Sequence, residues 1–167
     1  MKILVIDDSP WNVASAHLTL KDHDYQVVDN IKDAYDILKT GKKFDVVLTD
    51  LWLPRGGFTG AMDGYRDTAE TMIPAGLVFA IRATNDDTRV VICTDSDHHK
   101  DRLCSLLDLL DDGTYREKKA IEFVEARNSC VKGFWDGEKQ KIVLGTYGGP
   151  NIKDWLKAMQ HAQIIPQ

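Results

Sequence analysis

The chain has 167 residues, 43% hydrophobic and 28% charged, with 21 Lys and Arg against 26 Asp and Glu for a formal net charge of −5 at pH 7. Such a chain fits one globular domain with a full core, residues 1–167, and leaves little room for a second. An acidic balance without a basic stripe argues against a nucleic-acid partner, because phosphate contact depends on clustered Lys and Arg. There is no signal peptide and no long apolar span, and Cys93, Cys104 and Cys130 are odd in number with no CxxC pair, so the expected compartment is a reducing cytoplasm and no membrane is involved.

In chain order, Ile3-Leu4-Val5-Ile6 is an apolar run too short for a helix and reads as a strand buried on both faces. Ser9 and Pro10 supply an N-cap and a first helical position for a helix to about Lys21. A second strand near Tyr25 to Val28 leads to a helix carrying Ile31, Ala34, Ile37 and Leu38, with Gly41 as its stop. The third strand, Val46 to Thr49, closes on Asp50. Leu77, Ala80 and Ile81 mark a third helix, Arg89 to Thr94 a fourth strand, and Leu103, Leu106, Leu107 and Leu110 a fourth helix; these stripes read as core. Ile121 to Ala126 alternates as a fifth strand. Val131 to Trp135 and Lys141 to Leu144 form a hairpin around Asp136-Gly137, and Asn151 caps a last helix bearing Ile152, Trp155, Leu156 and Met159. Strands alternating with helices predict an α/β fold with a parallel sheet.

Acids stand at two strand ends, Asp7-Asp8 after the first and Asp50 after the third. In open α/β sheets ligands bind beyond the carboxyl ends of the strands, so these carboxylates face one crevice. Two carboxylates roughly 4 Å apart repel by about 4 kcal/mol at an effective dielectric near 20, and a third adds to it, unless a cation sits among them. An Asp after a strand also serves as a helix cap, but Ser9 offers itself for that role. Oxygen ligands supplemented by water suit Mg²⁺ better than zinc.

The pattern Ile3-Leu4-Val5-Ile6-Asp7-Asp8-Ser9, then Asp45-Val46-Val47-Leu48-Thr49-Asp50-Leu51-Trp52-Leu53-Pro54, then Met62-Asp63-Gly64 and the strand ending in Thr94, resembles the receiver domain of two-component response regulators. The resemblance is close over residues 1–54, fair to about 110 and poor thereafter. It implies a flavodoxin-like, doubly wound five-stranded parallel sheet with helices on both faces. It also implies that Asp50 accepts a phosphoryl group, that Asp8 and Asp50 bind Mg²⁺ directly, that Asp7 does so through water, and that the backbone carbonyl of Trp52 completes the protein ligands. Thr94 would hydrogen-bond a phosphoryl oxygen. The implied partners are a sensor histidine kinase or phosphotransfer protein and a downstream protein. The chain would be a single-domain regulator that catalyses at most its own phosphorylation and dephosphorylation. Two rivals stay open, a pseudo-receiver that only binds partners and, less favoured, a Mg²⁺-dependent phosphohydrolase, which lacks its usual Asp-x-Asp loop here.

Two features depart from the receiver pattern. The loop over about 54–71, after the third strand, is enlarged by Gly56, Gly57 and Gly60; it is either a lid or binding surface or a simply mobile loop, and no Gly-Lys-Ser/Thr makes it a Walker loop. Receivers also place a Lys at the end of the fifth strand; here Arg127 falls at that point with Lys132 as its competitor, or neither takes the role, and the usual Lys-Pro pair is absent from both places. An Arg fork is not equivalent to a compact ammonium. The segment 128–149 is a second insertion, whose hairpin either exposes aromatic surface to a partner or covers a sheet edge.

Overall fold

The computed structural model describes residues 1–54, 72–84, 88–95, 103, 121–125, 130–136, 141–144 and 151–166. The buried apolar runs form strands that pair in parallel: β1 (Lys2–Ile6), β2 (Asp24–Val28), β3 (Val46–Thr49), β6 (Arg89–Thr94) and β7 (Ile121–Glu125) make one sheet in the order β2-β1-β3-β6-β7. The chain starts in the middle, steps to one edge, then returns past its starting strand toward the other. This is the flavodoxin-like winding, and its order reverses between β1 and β3, the place where sheets of this kind bind ligands.

Period-two alternation divides these strands between two cores. On one face Leu4, Ile6, Val47, Val90 and Ile92 pack with Ile31 and Ala34 of α2 (Ile31–Lys39) and with Phe79, Ala80 and Ala83 of α3 (Ala75–Thr84). On the other face Ile3, Val5, Val46, Leu48, Val91 and Cys93 pack with Ala16 of α1 (Pro10–Thr19) and with Trp155, Ala158 and Met159 of α4 (Trp155–His161). Every central-strand residue from Ile3 to Ile6 and from Val46 to Thr49 is buried, which is why these runs are apolar without a break.

Several local expectations are revised by tertiary contacts. Ile81 is 56% exposed, because α3 turns Ala75, Phe79, Ala80 and Ala83 inward instead. The phase of α3 is set at its first turn, where the Gly76 N–H donates to the Leu51 carbonyl at 3.1 Å. A Cβ on Gly76 would overlap the Asp50 carbonyl oxygen, so only glycine lets the helix come this close to the end of β3. The helix expected to be capped by Asn151 begins later. Asn151–Lys153 is a strand, β10, and the cap is Asp154, whose side chain accepts from the Lys157 N–H. Ser9 is at the N-cap of α1, yet its side chain makes no capping bond.

Both insertions leave a trace in the sheets. The loop after β3 is closed at its base by β4 (Leu53–Pro54) pairing antiparallel with β5 (Met72–Ile73); residues 55–71 between them, with Arg55, lie outside the described residues. The expected hairpin is present as β8 (Cys130–Asp136) antiparallel to β9 (Lys141–Leu144). Its other edge carries β10, so that Lys153 pairs with Cys130 and Asn151 with Lys132 in a three-stranded sheet. Of the expected fourth helix only Leu103 is described, and it is helical. No helix among the described residues is long and apolar enough to cross a membrane.

An exposed helical Gly→Ala change commonly gains about 0.5–1 kcal/mol. Gly76→Ala reverses the sign here, because the new methyl meets backbone rather than a flexible side chain. Overpacking of this kind costs about 1–3 kcal/mol, or a fall in Tm of about 2–12 °C at this chain length. Thermal unfolding followed by circular dichroism measures it, and an unchanged or raised Tm would contradict the close approach.

Candidate functional site

Parallel pairing of Ile6 with Thr49 puts the residues after them side by side, and the Asp50 N–H donates to the Ile6 carbonyl at 2.9 Å. Asp7, Asp8 and Asp50 each contribute a carboxylate oxygen to a group within 4.8 Å of one another. Asp7 is fully buried and Asp50 is 8% exposed, whereas Asp8 is half-buried at the open side. The three acids predicted to converge therefore do so.

Among the described residues the cation that meets them is Lys153. Its Nζ lies 2.7 Å from Asp7 Oδ2 and 2.9 Å from Asp50 Oδ2, with only 2% of its side chain exposed. This differs from the reading that gave the role to Arg127 or Lys132. Arg127 is outside the described residues, and Lys132 sits on β8 opposite Asn151, two rows from Lys153 in that ladder. The ammonium reaches Asp50 not from the end of the fifth parallel strand but from β10, after the second insertion.

Both oxygens of Asp7 accept bonds from protein groups. Oδ1 accepts from the Ser9 N–H at 2.9 Å and from Asn12 Nδ2 at 3.0 Å, and Oδ2 accepts from Asn12 Nδ2 at 3.1 Å as well as from Lys153. Among the described residues Asp50 is held by fewer bonds, with Oδ1 accepting from the Leu51 N–H at 2.6 Å and Oδ2 from Lys153 at 2.9 Å. Three carboxylates and one ammonium leave a formal charge of −2. Oxygen-only donors, that charge and a half-buried Asp8 fit a hard divalent cation.

Burial shapes the protonation of the group. The Asp50 carboxyl is pushed up to about 6, chiefly by burial; Lys153 pulls it down and the Asp7 charge pushes it up. Burial alone would lower Lys153, but the charges of Asp7 and Asp50 outweigh it and hold the ammonium above its ordinary range. The ion pair and the raised Asp50 point in opposite directions, and the raised direction stands because one ammonium is divided between two buried carboxylates. Asp8 is raised by burial, against the opposing pull of its own backbone N–H.

Thr94 is fully buried at the end of β6, and the pairing of Thr49 with Ile92 places it one row beyond Asp50. Trp52, half-buried, follows Asp50 by two residues. Besides Lys153, reading by sequence missed Asn12 and Ser15. Both are polar residues on the inward face of α1, next to Ala16, and a buried polar pair on an otherwise apolar helical stripe was the available signal. For Lys153 the signal was Asp154, an equally good N-cap that leaves Asn151-Ile152-Lys153 free to be a strand.

The fold and the acid-lysine cluster define a flavodoxin-like α/β domain with three acids and a lysine at the carboxyl edge of its sheet. No protein-family model matches the chain, and no curated protein matches it. Solved structures similar to it include the BeF3-activated DrrB receiver domain, at 18% identity over 74% of this chain and 82% of that one with a TM-score of 0.46. Another is the response regulator TrrA from Thermotoga maritima in complex with Mg²⁺-BeF, at 22% identity over 74% of this chain and 84% of that one with a TM-score of 0.42.

Two outcomes are expected of this cluster. An acid whose folded-state value is raised from 3.8 to about 6 keeps its proton in the fold, so its ionisation lowers the stability of the metal-free protein as pH rises through that window. Protons and metal compete for the same oxygens, so Mg²⁺ should raise Tm clearly at neutral pH and progressively less below about pH 6. Asp50→Asn should flatten that dependence; thermal melts with and without Mg²⁺ across pH measure both, and a Mg²⁺ effect that is constant with pH would count against the cluster. Lys153→Ala leaves two buried carboxylates without their cation and should cost about 3–5 kcal/mol in metal-free buffer. Chemical denaturation measures this, with Mg²⁺ expected to restore part of the loss.

Proposed function

We propose that this protein is a cytoplasmic response regulator whose Asp50 accepts a phosphoryl group in a Mg²⁺-dependent manner and which signals through phosphorylation-dependent partner binding. The observation that carries this reading is the single buried ammonium of Lys153 shared by Asp7 and Asp50. It offers the positive charge that receivers carry at the end of the fifth strand; the lack of a Lys-Pro pair there and the enlarged loop are the features that favour a pseudo-receiver.

The donor is a phosphohistidine of a sensor kinase or phosphotransfer protein. An Asp50 carboxylate oxygen attacks phosphorus, the P–N bond breaks with its electron pair left on the imidazole nitrogen, and that nitrogen takes a proton from solvent. The product is an acyl phosphate on Asp50. Asp8 and Asp50 would hold Mg²⁺ directly, Asp7 through water, with the backbone carbonyl of Trp52 as a further ligand, and the bound ion would neutralise charge spread over the phosphoryl oxygens. Lys153 passes from the Asp50 carboxylate to a phosphoryl oxygen as that oxygen gains charge, and Thr94 donates its hydroxyl to another. The protein is thus a stoichiometric acceptor that assists its own phosphorylation and dephosphorylation. The modification adds about −1.5 to −2 charge, and coupling of about 1–3 kcal/mol changes partner affinity about 5–150-fold.

Acetyl phosphate with Mg²⁺ should add the mass of one phosphoryl group to the wild type and nothing to Asp50→Asn, as read by intact-protein mass spectrometry. Lys153→Ala should slow uptake by about 10²-fold, the usual loss when one preorganised charge partner is removed. A wild type that gains no mass would favour the pseudo-receiver, and steady turnover of a phosphomonoester would favour the hydrolase.

A further inference from the structure

Both polar atoms of the Asn12 side chain are bonded at the site. Its Nδ2 donates to both oxygens of Asp7, at 3.0 and 3.1 Å, and its Oδ1 accepts the backbone N–H of Lys153 at 3.1 Å. Its backbone carbonyl accepts from Trp155 Nε1 at 2.9 Å, and one turn along α1 Ser15 Oγ donates to the Lys153 carbonyl at 2.6 Å. Asn12 is 8% exposed. One amide therefore fixes the plane of the Asp7 carboxylate and the backbone from which the Lys153 ammonium extends.

We propose that Asn12 is a positioning residue of the acceptor site: it keeps Asp7 out of direct contact with the metal and holds Lys153 where its ammonium reaches Asp7 and Asp50 together. The proposal rests on the reading of Asp50 as phosphoacceptor. Asn12 touches neither the phosphoryl group nor the nucleophile, and it acts through what it holds. Lys153 is carried by β10, a strand of the inserted sheet rather than of the central one. Its anchorage to the crevice must therefore come from side chains, and Asn12 and Ser15 on α1 provide it. With both oxygens of Asp7 occupied by the amide, the ammonium is not drawn wholly to Asp7. It stays divided and can pass to a phosphoryl group on Asp50.

The test compares the full-length wild type with Asn12→Asp and Asn12→Ala. Asn12→Asp is isosteric and keeps the acceptor for the Lys153 N–H, but it removes both donors to Asp7 and sets a carboxylate against it. Mg²⁺ affinity by calorimetry should be unchanged or tighter in this variant, because negative charge is added while Asp8 and Asp50 remain. Phosphoryl uptake from acetyl phosphate at saturating Mg²⁺ should nevertheless slow about tenfold, in the range typical of lost outer-shell support. Asn12→Ala should show the slower uptake with Mg²⁺ affinity within about threefold of wild type. A purely structural role would not separate the two quantities. Uptake within about twofold of wild type in Asn12→Asp, or uptake and Mg²⁺ affinity falling in step, overturns the assignment of Asn12 while the acceptor reading stands. Absence of uptake in the wild type overturns both. Should Asn12→Ala fail to fold, the isosteric variant alone decides.

Discussion

One buried ammonium shared between two carboxylates is the interaction on which the site depends. Lys153, Asp7 and Asp50 are each at least nine-tenths buried, and none of them would be tolerated there alone. A buried ion pair is weak evidence for stability, since desolvation consumes most of the Coulomb gain, whereas removing one partner is costly. The triad is therefore better understood as a charge held ready than as a contributor to the fold. With Asp8 beside it the cluster keeps a net negative charge, and Asp50 is raised by burial.

The two insertions serve this arrangement unequally. The loop after β3 is pinned at its base by a two-residue antiparallel pair, with Leu53 fully buried beneath it. The segment after β7 instead builds the sheet that supplies β10, and with it the lysine. Delivering the cation from a separate sheet makes its position depend on contacts across to α1. Buried polar networks specify one arrangement only when every member is satisfied, and here Asn12, Ser15, Trp155 and the Lys153 backbone satisfy one another.

Close approach of α3 to the end of β3 is the complementary constraint from the other face. Gly76 allows the helix to press on the Asp50–Leu51 peptide, and its N–H bonds the Leu51 carbonyl. The Asp50 backbone is thus fixed by β1 on one side and by α3 from below. Among the described residues its side chain is bonded to the Leu51 N–H and to Lys153.

The sequence by itself determined the parallel sheet and the convergence of Asp7, Asp8 and Asp50. Unbroken apolar runs such as Val46 to Leu48 have no reading other than a strand buried on both faces, and strands of one parallel sheet end at one edge. It also determined the hairpin of β8 and β9, from alternation around Asp136-Gly137. Tertiary structure decided which cation meets Asp50. Nothing local distinguishes Lys153 from the other lysines, and Asn151 and Asp154 are both good N-caps, so whether Ile152 opens a helix or sits in a strand is settled by pairing with β8 and by bonds to α1. The phase of α3 was likewise undetermined, because Ile81 and Phe79 are equally apolar and only the contact at Gly76 selects the face turned inward. Local pattern encodes which residues want burial. Which partner satisfies a buried charge depends on segments more than a hundred residues apart in the chain, such as Asp50 and Lys153, and is fixed only when they pack.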